Sequence, residues 1–155
     1  MKALLQRITL LFLVSTCSVS LYAADNLDLS QYKGNKAVYI DFWASWCGPC
    51  RQSFPWLNKM HAQYAEQGLK VIAVNVDADR DEANEFLVNH PAQFDVIYDP
   101  EGELAEKFSI QGMPSAVLIT RSGEVFSQHI GFKNDRAKHY EEAIKQLLAE
   151  GEKNE

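Results

Sequence analysis

Cys47 and Cys50 bracket Gly48-Pro49, so two thiols stand one helical turn apart. A pair at this spacing can close into a disulfide and reopen with little backbone movement. That is two-electron chemistry done by side chains alone, and it requires no cofactor. As a structural staple the pair would restrain very little, because the stabilisation from a disulfide grows with the loop it closes. A zinc half-site fits no better: there is no second C-x-x-C and no histidine at finger-like spacing.

The elements that must position the dithiol follow from its neighbours. Ala37 to Trp43 (A-V-Y-I-D-F-W) is a β-rich, almost wholly apolar run after the turn cluster Lys33-Gly34-Asn35-Lys36, the pattern of a strand buried on both faces. Cys50, Phe54, Leu57, His61 and Tyr64 then recur at helical spacing, predicting a helix to about Gln67, before Gly68, with a kink at Pro55. Cys47 is expected at the start of that helix, beyond the strand's carboxyl end, where open α/β sheets place their sites. Backbone N–H groups and the helix dipole there stabilise a thiolate, the reactive form. Cys50, on the same helix face, is expected deeper and suited to resolving a mixed disulfide. Gly48-Pro49 brings no positive charge and one N–H fewer, so the thiolate is only moderately stabilised and the couple leans towards a reductase.

Asp41 lies in the middle of the apolar run. An acid there should have a raised pKa and could exchange a proton with Cys50; the alternative is a solvated strand-end residue that caps a loop. Trp43 and Trp46 read as packing residues beside the site rather than substrate anchors, Trp56 as a surface or partner-facing residue, and His61, His90, His129 and His139 as scattered structural or solvated groups.

Further along, Lys70 to Val76 is a second buried strand, and Asp79 caps a short helix that Pro91 stops. Phe94 to Tyr98 forms a short strand and Glu103 to Phe108 a helical turn or two. Ala116 to Thr120 and Val125 to Ile130 form a hairpin around Arg121-Ser122-Gly123-Glu124. A last helix runs from about Asp135 to Glu150, with Gly151 as its stop. The order describes an α/β sheet with helices on both sides.

Residues 1–23 read as an export signal: Lys2 and Arg7, the apolar Ile8 to Val14, and a small-residue cut at Ala23-Ala24. An uncleaved membrane anchor would need a longer apolar stretch, roughly 20 residues. Lipidation at Cys17 would place Thr16 in an unfavourable position. Residues 24–155 then form one domain, with its core over about 27–148. Loss of Lys2 and Arg7 leaves 13 basic against 21 acidic residues, a net −8 against −6 for the whole chain. That balance argues against nucleic acid and anionic membranes as partners.

The run from Asp41 to Arg51 (D-F-W-A-S-W-C-G-P-C-R) resembles the active-site strand and loop of the thioredoxin superfamily, and Met113-Pro114 stands where that family has its cis-proline. The export segment, the Tyr32-Lys33-Gly34 lead-in, the Gly112-Met113-Pro114-Ser115 loop and the extra helix-strand stretch around Asp79 to Tyr98 resemble the TlpA/ResA-type branch. The likeness covers about 27–148. It implies a thioredoxin-like α/β fold: a central mixed β-sheet flanked by helices, with a helix-strand insertion. Cys47 would be the attacking thiol, Cys50 the resolving thiol, Asp41 the buried acid, and Pro114 cis beside the disulfide. Trp46, Gly48, Pro49, Met113 and Pro114 would contact the client, the Met113 backbone pairing with an extended client segment.

The resemblance further implies a periplasmic, monomeric thiol–disulfide oxidoreductase, without cofactor or metal, that keeps protein cysteines reduced. It would touch the membrane only if the signal were retained as an anchor facing the periplasm. Its electron donor would be a membrane thiol reductase of the DsbD or CcdA kind, and many such proteins serve cytochrome c maturation. Two departures stand out: an apolar residue, around Ala73, replaces the family's lysine near the acid, and Ala78 falls where cytochrome-maturation members carry an acid. Two other functions are conceivable on this fold. A thiol peroxidase would need a Thr-x-x-Cys setting, whereas Ala44-Ser45-Trp46 precedes Cys47. A copper-handling module would use a wider cysteine spacing and a distant histidine.

Overall fold

A computed structural model describes residues 27–152. Its centre is β1 (Ala37–Trp43), buried at every position. β1 pairs in parallel with β2 (Leu69–Asn75) on one side and antiparallel with β4 (Ser115–Ile119) on the other. β3 (Asp95–Tyr98) extends the parallel half and β5 (Val125–Ile130) the antiparallel half, giving the order β3-β2-β1-β4-β5. The two-residue alternation of a strand sends Tyr39, Asp41 and Trp43 to one face and Val38, Ile40 and Phe42 to the other.

The first face is covered by α1 (Cys50–Tyr64), α2 (Arg80–Asn89) and α4 (Ala137–Glu152). Phe54, Leu57, Met60, Phe86, Ile144 and Leu147 from these helices share one buried cluster with Tyr39 and Trp43. The Trp43 ring meets Phe54 at 4.9 Å and Phe86 at 4.7 Å between centroids. On the second face, Val38, Ile40, Phe42, Ile72, Val74, Val117 and Ile119 lie under a 3-10 turn (Leu29–Tyr32) and α3 (Glu103–Lys107). Each fully buried large side chain contributes about 1.5–3 kcal/mol relative to exposure, so the end of β1 is held from both sides.

Element types and order agree with the sequence expectations, and most boundaries fall within a residue or two. Asp79 caps α2, accepting from the Asp81 N–H at 2.9 Å. Three details differ. α4 is preceded by a 3-10 turn at Asn134–Arg136 and continues through Gly151, the expected stop. A glycine ends a helix only where the chain turns left-handed, and here the chain stays helical. Trp56 is not a free surface residue: its ring packs against Tyr39, Phe132 and Tyr140 at 6.0, 5.4 and 6.0 Å, because α4 covers that flank of α1. α1, which contains Pro55, ends at Tyr64, and a 3-10 turn (Ala65–Gln67) completes the expected span. The expected signal segment and Cys17 lie outside the described residues, among which no helix is long and apolar enough to cross a membrane.

Candidate active site

The chain leaves β1 at Trp43 and turns through Ala44–Pro49 before α1 begins. The Cys47 N–H donates to the Ala44 carbonyl at 3.1 Å, and the Cys50 and Arg51 N–H groups donate to the carbonyls of Cys47 and Gly48, each at 3.2 Å. Cys47 therefore sits in the turn three residues ahead of the first helical residue rather than inside the helix. Pro49 caps the helix without a side-chain hydrogen bond, which leaves the positive end of α1 directed at the thiols. Cys47 and Cys50 are joined as a disulfide with Cα atoms 5.3 Å apart. Cys50 is fully buried and Cys47 is 3% exposed, so the expected order of depth holds, with the outer sulfur itself almost covered in this oxidised state.

Asp41 is buried on the face of β1 that carries α1, between Tyr39 and Trp43, and both of these share a cluster with the two cysteines. Its Oδ2 has no hydrogen-bond partner. Burial raises its pKa well above the ordinary carboxylate range, because a charge with neither water nor partner is costly. The residue opposite on β2 is Ala73 and on β4 Ala116, so no cation on a flanking strand relieves it. This is the raised-pKa acid that the apolar run predicts, not a solvated cap.

Asp77 is the residue that the sequence reading missed. Just past β2, it accepts from the Ser45 N–H at 2.8 Å, the Ser45 hydroxyl at 3.0 Å and the Asn75 side-chain amide at 2.7 Å. The Asn75 side-chain oxygen in turn accepts from the Asp77 N–H at 3.1 Å. The carboxylate thus ties the loop two residues ahead of Cys47 to the end of the neighbouring strand. A signal was available: Asn and Asp two apart at a strand's end are disposed to bond locally to backbone.

On the other side of β1, the Met113–Pro114 bond is cis. Ser115 follows at once, its hydroxyl donating to the Gly112 carbonyl at 2.6 Å, and lies opposite Phe42. Met113 packs against the cluster that holds the cysteines, and its own N–H and C=O hydrogen-bond to no other described residue. Trp46 is 67% exposed, so it does not pack as expected; it projects beside the exposed Gly48 and Pro49. The structure thus gathers Cys47, Cys50, Trp46, Gly48, Pro49, Met113 and Pro114 at one end of the sheet, with Asp41 beneath. A cavity of about 340 Å³ adjoins them, between the start of α1 and α2, lined by Ser45, Arg51, Glu82, Glu85, Phe86, Asn89 and His90. Among the described residues, no group of three or more His, Cys, Asp or Glu side chains is arranged to hold a metal ion.

A mixed five-stranded sheet with this dithiol at the head of α1 is the architecture of a thioredoxin-fold thiol–disulfide oxidoreductase. The chain belongs to the Redoxin family, which its residues 18–144 match. It is similar to the thiol-disulfide oxidoreductase ResA of Bacillus thuringiensis subsp. konkukian, 29% identical over 122 residues, which cover 78% of this chain and 68% of that one. ResA of Bacillus subtilis is 29% identical over 99 residues, 64% of this chain and 55% of its own. Among solved structures, one assigned as the thiol:disulfide interchange protein DsbE of Chlorobium tepidum is 48% identical. It superposes with a TM-score of 0.75 over 77% of this chain and 84% of its own. The protein is a thiol–disulfide oxidoreductase.

Proposed function

We propose that this enzyme works as an exported reductase of protein disulfides. The Cys47 thiolate attacks one sulfur of a client disulfide, forming a mixed disulfide and expelling the client's other thiolate. Asp41 as carboxylate then takes the proton of the Cys50 thiol. The Cys50 thiolate attacks the Cys47 sulfur, the mixed bond breaks, and the client leaves with two electrons while Cys47 and Cys50 become a disulfide. The observation that carries this division of labour is the unpartnered, buried Asp41 carboxyl on the cysteine side of β1. A carboxyl whose pKa is raised by burial is a stronger base towards a thiol than an ordinary carboxylate. The direction rests on Gly48-Pro49, which adds no cation to hold the thiolate down. Client docking by strand addition rests on the free N–H and C=O of Met113, with Trp46, Gly48, Pro49 and Pro114 as the surrounding surface.

In this reading residues 1–23 are a cleaved signal, the enzyme is a periplasmic monomer, and a membrane thiol reductase of the DsbD or CcdA kind returns it to the dithiol. Haem-attachment cysteines are one client class, with Ala78 as the residue that argues for a broader range. A redox titration tests the direction. The couple should lie near that of thioredoxin, about −270 mV, and a value near about −120 mV would reverse it. Cys47→Ser should abolish disulfide reduction, whereas Cys50→Ser should accumulate a mixed disulfide with the client. A reactive Cys47 that traps nothing would remove Cys50 from the resolving role. N-terminal sequencing of the protein recovered from its compartment tests the cut after Ala23 or Ala24.

A further inference from the structure

β5 ends at Ile130, opposite Ser115, and the chain then turns at Gly131 with φ +80°, a conformation costly to any residue with a Cβ. The Gly131 N–H donates to the Pro114 carbonyl at 2.7 Å. Its own carbonyl lies 3.2 Å from His129 Nδ1. A carbonyl only accepts, so Nδ1 carries the proton. The neutral ring then offers Nε2 as an acceptor, and the Tyr39 hydroxyl donates to it across 3.2 Å. Burial lowers the His129 pKa, outweighing the raising effect of the Gly131 carbonyl, and nearby His139 lowers it further. The ring is stacked on Tyr140, centroids 4.4 Å apart. One imidazole is thus locked by β1 and α4 while its free N–H holds the residue that holds Pro114.

We propose that His129 is a positioning residue for client binding. Its Nδ1–H fixes Gly131, Gly131 occupies the Pro114 carbonyl, and the loop is left with Met113 as the residue whose backbone groups are free to pair. The end of β5 abuts the same loop from the side: the Ile130 side chain comes within 3.9 Å of where a Cβ on Gly112 would stand. On the inner side the Ser115 hydroxyl fastens Gly112. The inference rests on the strand-addition reading given above and adds to it the group that keeps the edge in place.

The two ring nitrogens can be tested separately. An Asn amide can reach as Nδ1–H does and keep the Gly131 bond, whereas a Gln amide reaches as Nε2 does and keeps only the Tyr39 contact. KM and kcat are measured with the full chain on a synthetic disulfide-bonded peptide, with and without N-methylation of one amide beside the cysteine, and on a small aromatic disulfide that cannot form a strand. His129→Gln and His129→Ala should raise KM for the peptide about three- to ten-fold, the worth of one hydrogen bond, with kcat and the small-disulfide rate unchanged. His129→Asn should keep the wild-type KM. Equal KM values for the Gln variant and the wild type, or an equal loss on both substrates, would overturn the role of His129. Should the Ala variant fail to fold, the Asn and Gln pair still decides. A wild-type KM indifferent to N-methylation would instead overturn strand addition itself, and the inference with it.

Discussion

Asp41 and Asp77 are buried alike, each 3% exposed, yet the fold treats them in opposite ways. Asp77 receives three hydrogen bonds from Ser45 and Asn75. Asp41 has an oxygen with no partner and two alanines as its flanking cross-strand neighbours. Burial therefore does not decide what a carboxylate does; the donors aimed at it do. A carboxylate whose oxygens are met by donors is held in place, and here it fixes the loop that bears Cys47. An unsatisfied one keeps its proton to a higher pH than an ordinary carboxylate, as proton exchange with a thiol would require.

Opposite signs on stability give the sharpest break. Asp77→Ala removes the acceptor from three donors at once and should cost about 2–4 kcal/mol, measured by denaturant unfolding of the oxidised protein. No loss would mean that the loop is held by the disulfide and the turn bonds alone. Asp41→Asn should do the reverse at pH 7. The folded pKa of Asp41 is raised above its unfolded value of about 3.9, so the folded state gives up its proton later than the unfolded one. Stability linked to this group is full below about pH 4 and falls as the pH rises towards the folded pKa. The amide cannot ionise, so the variant should gain stability at pH 7, a gain that shrinks towards pH 4. In the same variant the rise of turnover with pH through the Asp41 pKa should vanish. A wild-type profile retained by the amide would reduce Asp41 to a structural acid.

Asp77→Asn keeps the shape but weakens acceptance at one position, and should lose about 1 kcal/mol with Cys47 alkylation little changed. Ser45→Ala, which removes only the hydroxyl bond at 3.0 Å, should cost least, about 0.5–1.5 kcal/mol. If it cost as much as Asp77→Ala, the clamp would reside in Ser45 rather than in the carboxylate.

How far each region was legible in the sequence follows from how local its causes are. β1 and β5 were readable to the residue because alternation or continuous apolarity is written in adjacent positions. Asp41 was readable because its environment is its own strand. Asp77 was not: in Asp77-Ala78-Asp79 it looks like one more solvated loop acid, and its main partner, Ser45, is 32 residues away. His129 is a stronger case, since Tyr39, which bonds its ring, is 90 residues distant. Trp46 and Trp56 exchanged places with expectation for the same reason. α4 came to cover Trp56, and none of the described elements covers Trp46.

From the chain's letters alone come the dithiol, the acid set in an apolar strand, and the succession of strands and helices, because hydrophobic spacing and thiol spacing act over a few residues. The pairing of Ser45 with Asp77, the register that places His129 opposite Ala116, and the free backbone of Met113 were decided only when distant strands came together. Hydrogen-bond partners are chosen by proximity in space, and proximity in space is what the sheet's register supplies.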